Sequence, residues 1–449
     1  MKRTLLWILV VTAGSCAVLL FARYAETQAA PQGSTSLYDK QVEQNRAQMF
    51  DQGKHIFRYD TFGDEAFWGG TLRLHQAIAG EKNGGVGPGV SPKTALSVGL
   101  KVDADALPAE LVAQIKAGKV NLDDPATTLA LLKLNAVVGV TGRFDSQGKF
   151  NSMGIQCAFC HSTVDDSFMP GIGHRLDGWP NRDLNVGGIV ALAPNPKPLA
   201  DELGVDVATL KKVLASWGPG CFDAELDKDG KALRPDGKRA CTLIPPAFGL
   251  AGVNLHTWTG FGSVPYWNAY VAATEMHGAG TFFDARLKDK SQYPVAARSG
   301  SSNTRGKPDR TSPKLAALHF YQLAIAAPAP PANSFDGAAA SRGKAVFEGK
   351  ANCASCHVPP LFTEPGNNLH APSEVCTDTF QADRSPTHSY RTAPLAGLWT
   401  HQKSGFYHDG RFTTLAEVVD HYESCFRLGL TAQEKEDIVE YLKSLPESK

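Results

Sequence analysis

The chain has no surplus of either charge: 45 Lys+Arg stand against 45 Asp+Glu in 449 residues. That balance removes the electrostatic ground for a nucleic-acid surface or a polybasic membrane patch. Strand-like alternation is scarce, and no internal repeat is visible beyond two short cysteine motifs, so the fold is read as mainly α. The composition is not that of disorder, with 43% hydrophobic and 20% charged residues. Abundant Gly and Pro call for loops, and the length is a soft prior for two or three domains. What the chain does hold is nine cysteines. Four lie in Cys157-Ala-Phe-Cys160-His161 and Cys353-Ala-Ser-Cys356-His357, leaving Cys16, Cys221, Cys241, Cys376 and Cys425.

Lys2 and Arg3 precede an uncharged run, Leu5 to Ala22, closed by Arg23. As a helix it is roughly 27 Å long at about 1.5 Å per residue, close to a bilayer core. Thr27-Gln28-Ala29 also offers a small-residue cleavage site before Ala30. Residues 1–30 are therefore read as a signal peptide or N-terminal membrane anchor, and either one sends the remainder to the periplasm. Cys16 is read as an apolar leader cysteine. An oxidising compartment lets Cys221 pair with Cys241 and Cys376 with Cys425, a pairing the sequence alone leaves open.

Helix-like segments run over 41–52, 111–116 and 126–136, and a loop-rich insertion over 185–243 carries turn signals at Asp227-Lys-Asp-Gly230 and Pro235-Asp-Gly237. Ala326-Ala-Pro-Ala-Pro-Pro331 is an extended spacer. The domain reading is an N-terminal haem domain with extension and insertion over 31–335 and a C-terminal cytochrome c-like haem domain over 336–449. In the latter, a helix is expected over 339–349, Thr431-Ala-Gln-Glu434 is a capping box, and a helix over 414–424 places Leu415, Val418, Val419 and Tyr422 on one stripe.

Cys-x-x-Cys-His is the haem c attachment pattern. Two thiols add to the vinyl groups, and the adjacent histidine supplies a nitrogen to iron. No second ligand pair lies at zinc-finger spacing, so two covalently bound haem c groups are expected at Cys157, Cys160, His161 and at Cys353, Cys356, His357. The ligand opposite each histidine decides between electron transfer and chemistry. Met169 and His174 are nearest the first motif; His401, Tyr407, His408, His421 and Tyr422 are candidates for the second.

Tyr390-Arg-Thr-Ala-Pro-Leu-Ala-Gly-Leu-Trp399, Gly405-Phe-Tyr-His-Asp-Gly-Arg411 and Thr414-Leu-Ala-Glu-Val-Val-Asp-His-Tyr422 together resemble the C-terminal signature of the bacterial dihaem cytochrome c peroxidase and MauG superfamily. The likeness covers about 340–449 and the surroundings of the first motif, loosens over 244–280, and is absent before about 150. It implies Tyr422 as the ligand opposite His357, in the MauG manner, and His174 on or near the first iron. It implies Trp258 as the relay between haems, although the family's Asp and Arg are replaced by Thr259 and Phe261. It further implies Asn268 as a distal-pocket amide, Glu275 as the acid/base of peroxide cleavage, and one calcium ion for which Asn181 could serve.

The function that follows is a periplasmic dihaem oxidoreductase reducing hydrogen peroxide at the N-terminal haem with electrons relayed by the C-terminal haem. Its partners are a small electron-donor protein, cytochrome c or cupredoxin, or a protein substrate, with peroxide or dioxygen as acceptor. Nucleic acid is excluded, and the membrane enters only through residues 5–22. A dihaem electron-transfer cytochrome and a dihaem oxygenase of the rubber-oxygenase type are the alternatives.

Overall fold

Apolar spacing and helix caps set most of the elements. The computed structural model describes residues 36–401 and 403–446. The leader reading, with Cys16 and cleavage before Ala30, lies outside the described residues. The described chain is mainly helical, with five two-stranded sheets among the described residues. No described helix is long and apolar enough to cross a membrane. Contacts divide the chain between residues 48 and 49, and the second unit holds every site discussed below.

The expected helices at 41–52 and 111–116 lie within Leu37–Tyr59 and Ala109–Lys116, and the one expected over 126–136 ends three residues earlier, as Pro125–Lys133. Segment 185–243 is less loop-rich than its Gly and Asp content implies. It contains Val207–Trp217, whose Leu210, Val213, Leu214 and Trp217 are buried at helical spacing. The turn signal at 227–230 belongs to a short helix, Leu226–Asp229, ended by Gly230 at φ 71°. Cys221 pairs with Cys241 across this segment, and Cys376 pairs with Cys425.

After the proline-rich spacer, Gly337–Glu348 packs along Ala432–Lys443. Asp336 caps the first of these helices. Thr431 and Glu434 form the predicted capping box on the second, and Thr414 with Glu417 repeats it on Leu415–Phe426. The first pair touches closely at Gly343, where a Cβ would collide with the Asp437 carbonyl. One turn further, Phe347 meets Tyr441 edge-on at 5.2 Å. One apolar cluster draws only on residues 346–445, while the clusters around Trp68, Phe57 and Tyr270 draw on residues before 326.

Candidate functional site

The antiparallel hairpin Val140–Phe144 with Phe150–Ile155 delivers the chain to Cys157. There a one-turn helix, Ala158–His161, buries Ala158 and Phe159 and turns the two thiols and the imidazole toward a cavity of about 390 Å³. Neither thiol is in a disulfide, and burial pushes both up to about 12. His161 Nδ1 lies 3.2 Å from the Pro245 carbonyl oxygen. A carbonyl only accepts, so Nδ1 carries the proton and Nε2 keeps its lone pair. Burial pushes this imidazole down to about 4, so it is neutral near pH 7.

The second motif follows the same plan on a different local frame. Asn352, at φ 50°, opens a 3₁₀ turn, Cys353–Ser355, and His357 Nδ1 lies 3.1 Å from the Phe362 carbonyl. This imidazole is also pushed down to about 4 by burial, and both thiols are free. Tyr422 projects from Leu415–Phe426 close enough for its titration to feel Cys353 and Cys356. Burial raises its phenol, which stands 6.1 Å ring to ring from Tyr407. His421, one residue earlier, instead packs on Tyr407 and Phe412.

Trp258 and Glu275 both line the cavity that receives His161. The Trp258 indole donates to the Leu243 carbonyl at 3.0 Å, and the Leu243 amide donates to the His408 carbonyl at 2.7 Å. The indole is thus joined through one residue to the segment Gly405–Arg411. Protein surrounds Glu275, and its Oε1 has no hydrogen-bond partner among the described residues. Burial, reinforced by Asp227, pushes its carboxyl well above the usual carboxylate range.

Two expected site residues lie elsewhere. His174 is exposed, at the bend between the short strands Ile172–Gly173 and Arg175–Asp177, with its Nδ1 2.8 Å from Asp105. It does not line the cavity with His161. Asn268 faces helix Leu315–Ala324, where it exchanges hydrogen bonds with Gln322 at 2.7 and 3.1 Å, and it too is outside the lining. Its amide is already consumed by that pairing.

Sequence reasoning missed the rest of the polar wall. Glu202, Asp223, Glu225 and Asp227 line the same cavity, all four from the segment read as a loop-rich insertion and only Asp227 from one of its turn signals. The linear signal for the last three is the acidic run between Cys221 and Cys241. Also missed were two guanidiniums. Among the described residues, Arg182 is buried with Nε and Nη1 unpartnered, and Arg391 donates Nε to the Thr257 carbonyl at 2.6 Å but leaves a buried Nη1 unpartnered. Next to Arg182, the buried His401 also has an unpartnered Nε2. A buried cation without an anion costs several kcal/mol, about 3–5 where pairs have been broken. These donors therefore fit the two carboxylates of a haem, as the free thiols and Nδ1-tethered imidazoles fit its vinyl groups and iron.

No protein-family model matches the chain, and no curated protein is similar to it. Among solved structures it is similar to a MauG-like protein associated with microbial copper homeostasis, at 18% identity and a TM-score of 0.31 over 47% of this chain and 76% of that one. It is also similar to hydrazine synthase of Kuenenia stuttgartiensis, at 19% identity and a TM-score of 0.28 over 50% of this chain and 76% of that one. Each likeness spans about half of this chain, and at such TM-scores neither carries an inference about activity.

Proposed function

We propose that this chain is a dihaem c-type oxidoreductase that reduces hydrogen peroxide beside His161, using electrons that enter beside His357 from a small donor protein. The observation that supports it most is the joint presence, on one cavity, of a Cys-x-x-Cys-His turn, a neutral tethered imidazole and the enclosed carboxyl of Glu275. Covalently bound haem would supply the one-electron couples and the centre at which the O–O bond breaks.

The chain's own groups would do the following. Cys157, Cys160, Cys353 and Cys356 would hold the groups, and His161 and His357 would each offer Nε2 to iron. Arg182 and Arg391 would neutralise carboxylates, and Tyr422 would be a further oxygen donor at the second centre. Glu275, its carboxyl held above the usual carboxylate range by burial, would give its proton to the far peroxide oxygen and take one back from the near oxygen. Trp258 passes electrons between the centres. The balance is H2O2 plus two electrons and two protons giving two waters. Asn181 Oδ1, buried and unpartnered, is the oxygen this reading offers to calcium, and no step depends on that ion. The two disulfides accord with export to the periplasm.

Peroxide titration of the haem-loaded protein with a reduced donor tests the proposal. Two donor electrons should be consumed per peroxide, and Glu275→Gln should lower kcat by about 10²-fold with unchanged haem content. No donor consumption in the fully loaded protein refutes it.

A further inference from the structure

Each turnover of the proposed reaction consumes two protons inside a protein-walled cavity that Glu275 lines. The wall beside it carries more carboxyls than cations. Asp223, Glu225, Asp227, Asp229 and Glu275 face only Lys228 and Arg384. Tyr270 donates its hydroxyl to Asp227 Oδ2 at 2.7 Å and so orients that carboxyl, while Oδ1 has no hydrogen-bond partner among the described residues. Lys228 Nζ is 4.0 Å from this Oδ1, held mainly by the Ala224 carbonyl, Glu225 and the faces of Trp267 and Tyr270. At the outer end Glu202, its side chain 27% exposed, also lines the cavity, with His277 Nε2 at 3.8 Å.

We propose that Glu202 and Asp227 form the proton entrance of this cavity, passing protons from solvent to Glu275. The proposal rests on the peroxidase reading and extends it. In each passage a carboxyl gives up its O–H proton on one side and regains one from the other, so the relay is unchanged after turnover. The two protons end in water, and the two electrons come from the donor protein. Burial and the charge of Asp227 push Glu202 up to about 7, and burial raises Asp227 and Glu275. Glu202 faces Asp227 and His277; Asp227 faces Lys228, Asp229, Tyr270 and Glu275. The relay residues touch no substrate and act through Glu275.

The test uses the haem-loaded protein and its Glu202→Gln and Asp227→Asn variants, with Glu202→Asp as the conservative control. Two readouts are taken: peroxide turnover against pH in H2O and D2O, and the rate of proton uptake when the protein is reduced by dithionite. The relay predicts turnover slowed about tenfold in both variants, loss of the pH limb near 7 in Glu202→Gln, a larger solvent isotope effect, slowed proton uptake, and near-normal behaviour in Glu202→Asp. Unchanged proton uptake in Glu202→Gln overturns the relay whatever the peroxide result. Absent peroxide turnover in the wild type overturns the peroxidase reading instead, with the relay still judged by proton uptake.

Discussion

Arg384 offers the sharpest measurement of how the acidic wall is held. Its side chain is fully buried, with Nη2 2.9 Å from Asp223 Oδ1, Nε 2.8 Å from Asp229 Oδ2, and Nη1 3.1 Å from the Ala240 carbonyl. Arg384→Met keeps most of the side-chain length but strips the cation from two buried carboxyls and the donor from one carbonyl. Removing one partner of a buried ion pair costs about 3–5 kcal/mol, a large share of a typical stability of about 5–15 kcal/mol. The pH dependence has a definite sign. Burial holds Asp223 up at about 6 even with Arg384 beside it, and without the guanidinium it rises further. A carboxyl raised above its unfolded value binds a proton in the folded state, so its stability cost grows as pH increases. The extra loss in the variant should therefore be smaller at pH 5, where Asp223 is protonated in both proteins, than at pH 8. Urea denaturation at the two pH values, with disulfides intact, measures it. A loss below about 1 kcal/mol at pH 8, or a greater loss at pH 5, refutes the reasoning.

Replacing Cys376 and Cys425 together by Ser opens a loop with a sequence separation of 49 and should cost about 4 kcal/mol, against about 3 kcal/mol for Cys221 and Cys241 at a separation of 20. Non-reducing thermal melts should rank the two variants in that order. His174→Ala removes an exposed pair with Asp105 worth at most about 1 kcal/mol; the optical spectrum of the first centre should be unchanged, and an altered one would return the histidine to the iron. Trp258→Phe removes the bond to the Leu243 carbonyl and the readily oxidised indole. Stopped-flow reduction should show electron passage between centres slowed about tenfold or more at equal haem content, and an unchanged rate excludes the indole as relay.

What was legible in the chain was what neighbours in sequence decide. By itself the sequence determined the two haem-attachment patterns, the capping box at Thr431 and Glu434, and the stripe that puts Tyr422 with Leu415 and Val419 on one helix. Each is written in steps of four residues or fewer, the reach of a helical turn or a cap. Trp258 and Glu275, named through resemblance of short motifs, both line the cavity. Only the tertiary structure decided which way His174 points, because it sits at a bend between two short strands whose pairing partners are distant in sequence. Only it showed the Asn268 amide already spent on Gln322, 54 residues away. The acidic wall is the clearest case. Asp227 reads as a turn residue until Tyr270 donates to it and Lys228 lies beside it, and the cost of drawing a carboxyl from water appears only once those neighbours are in place.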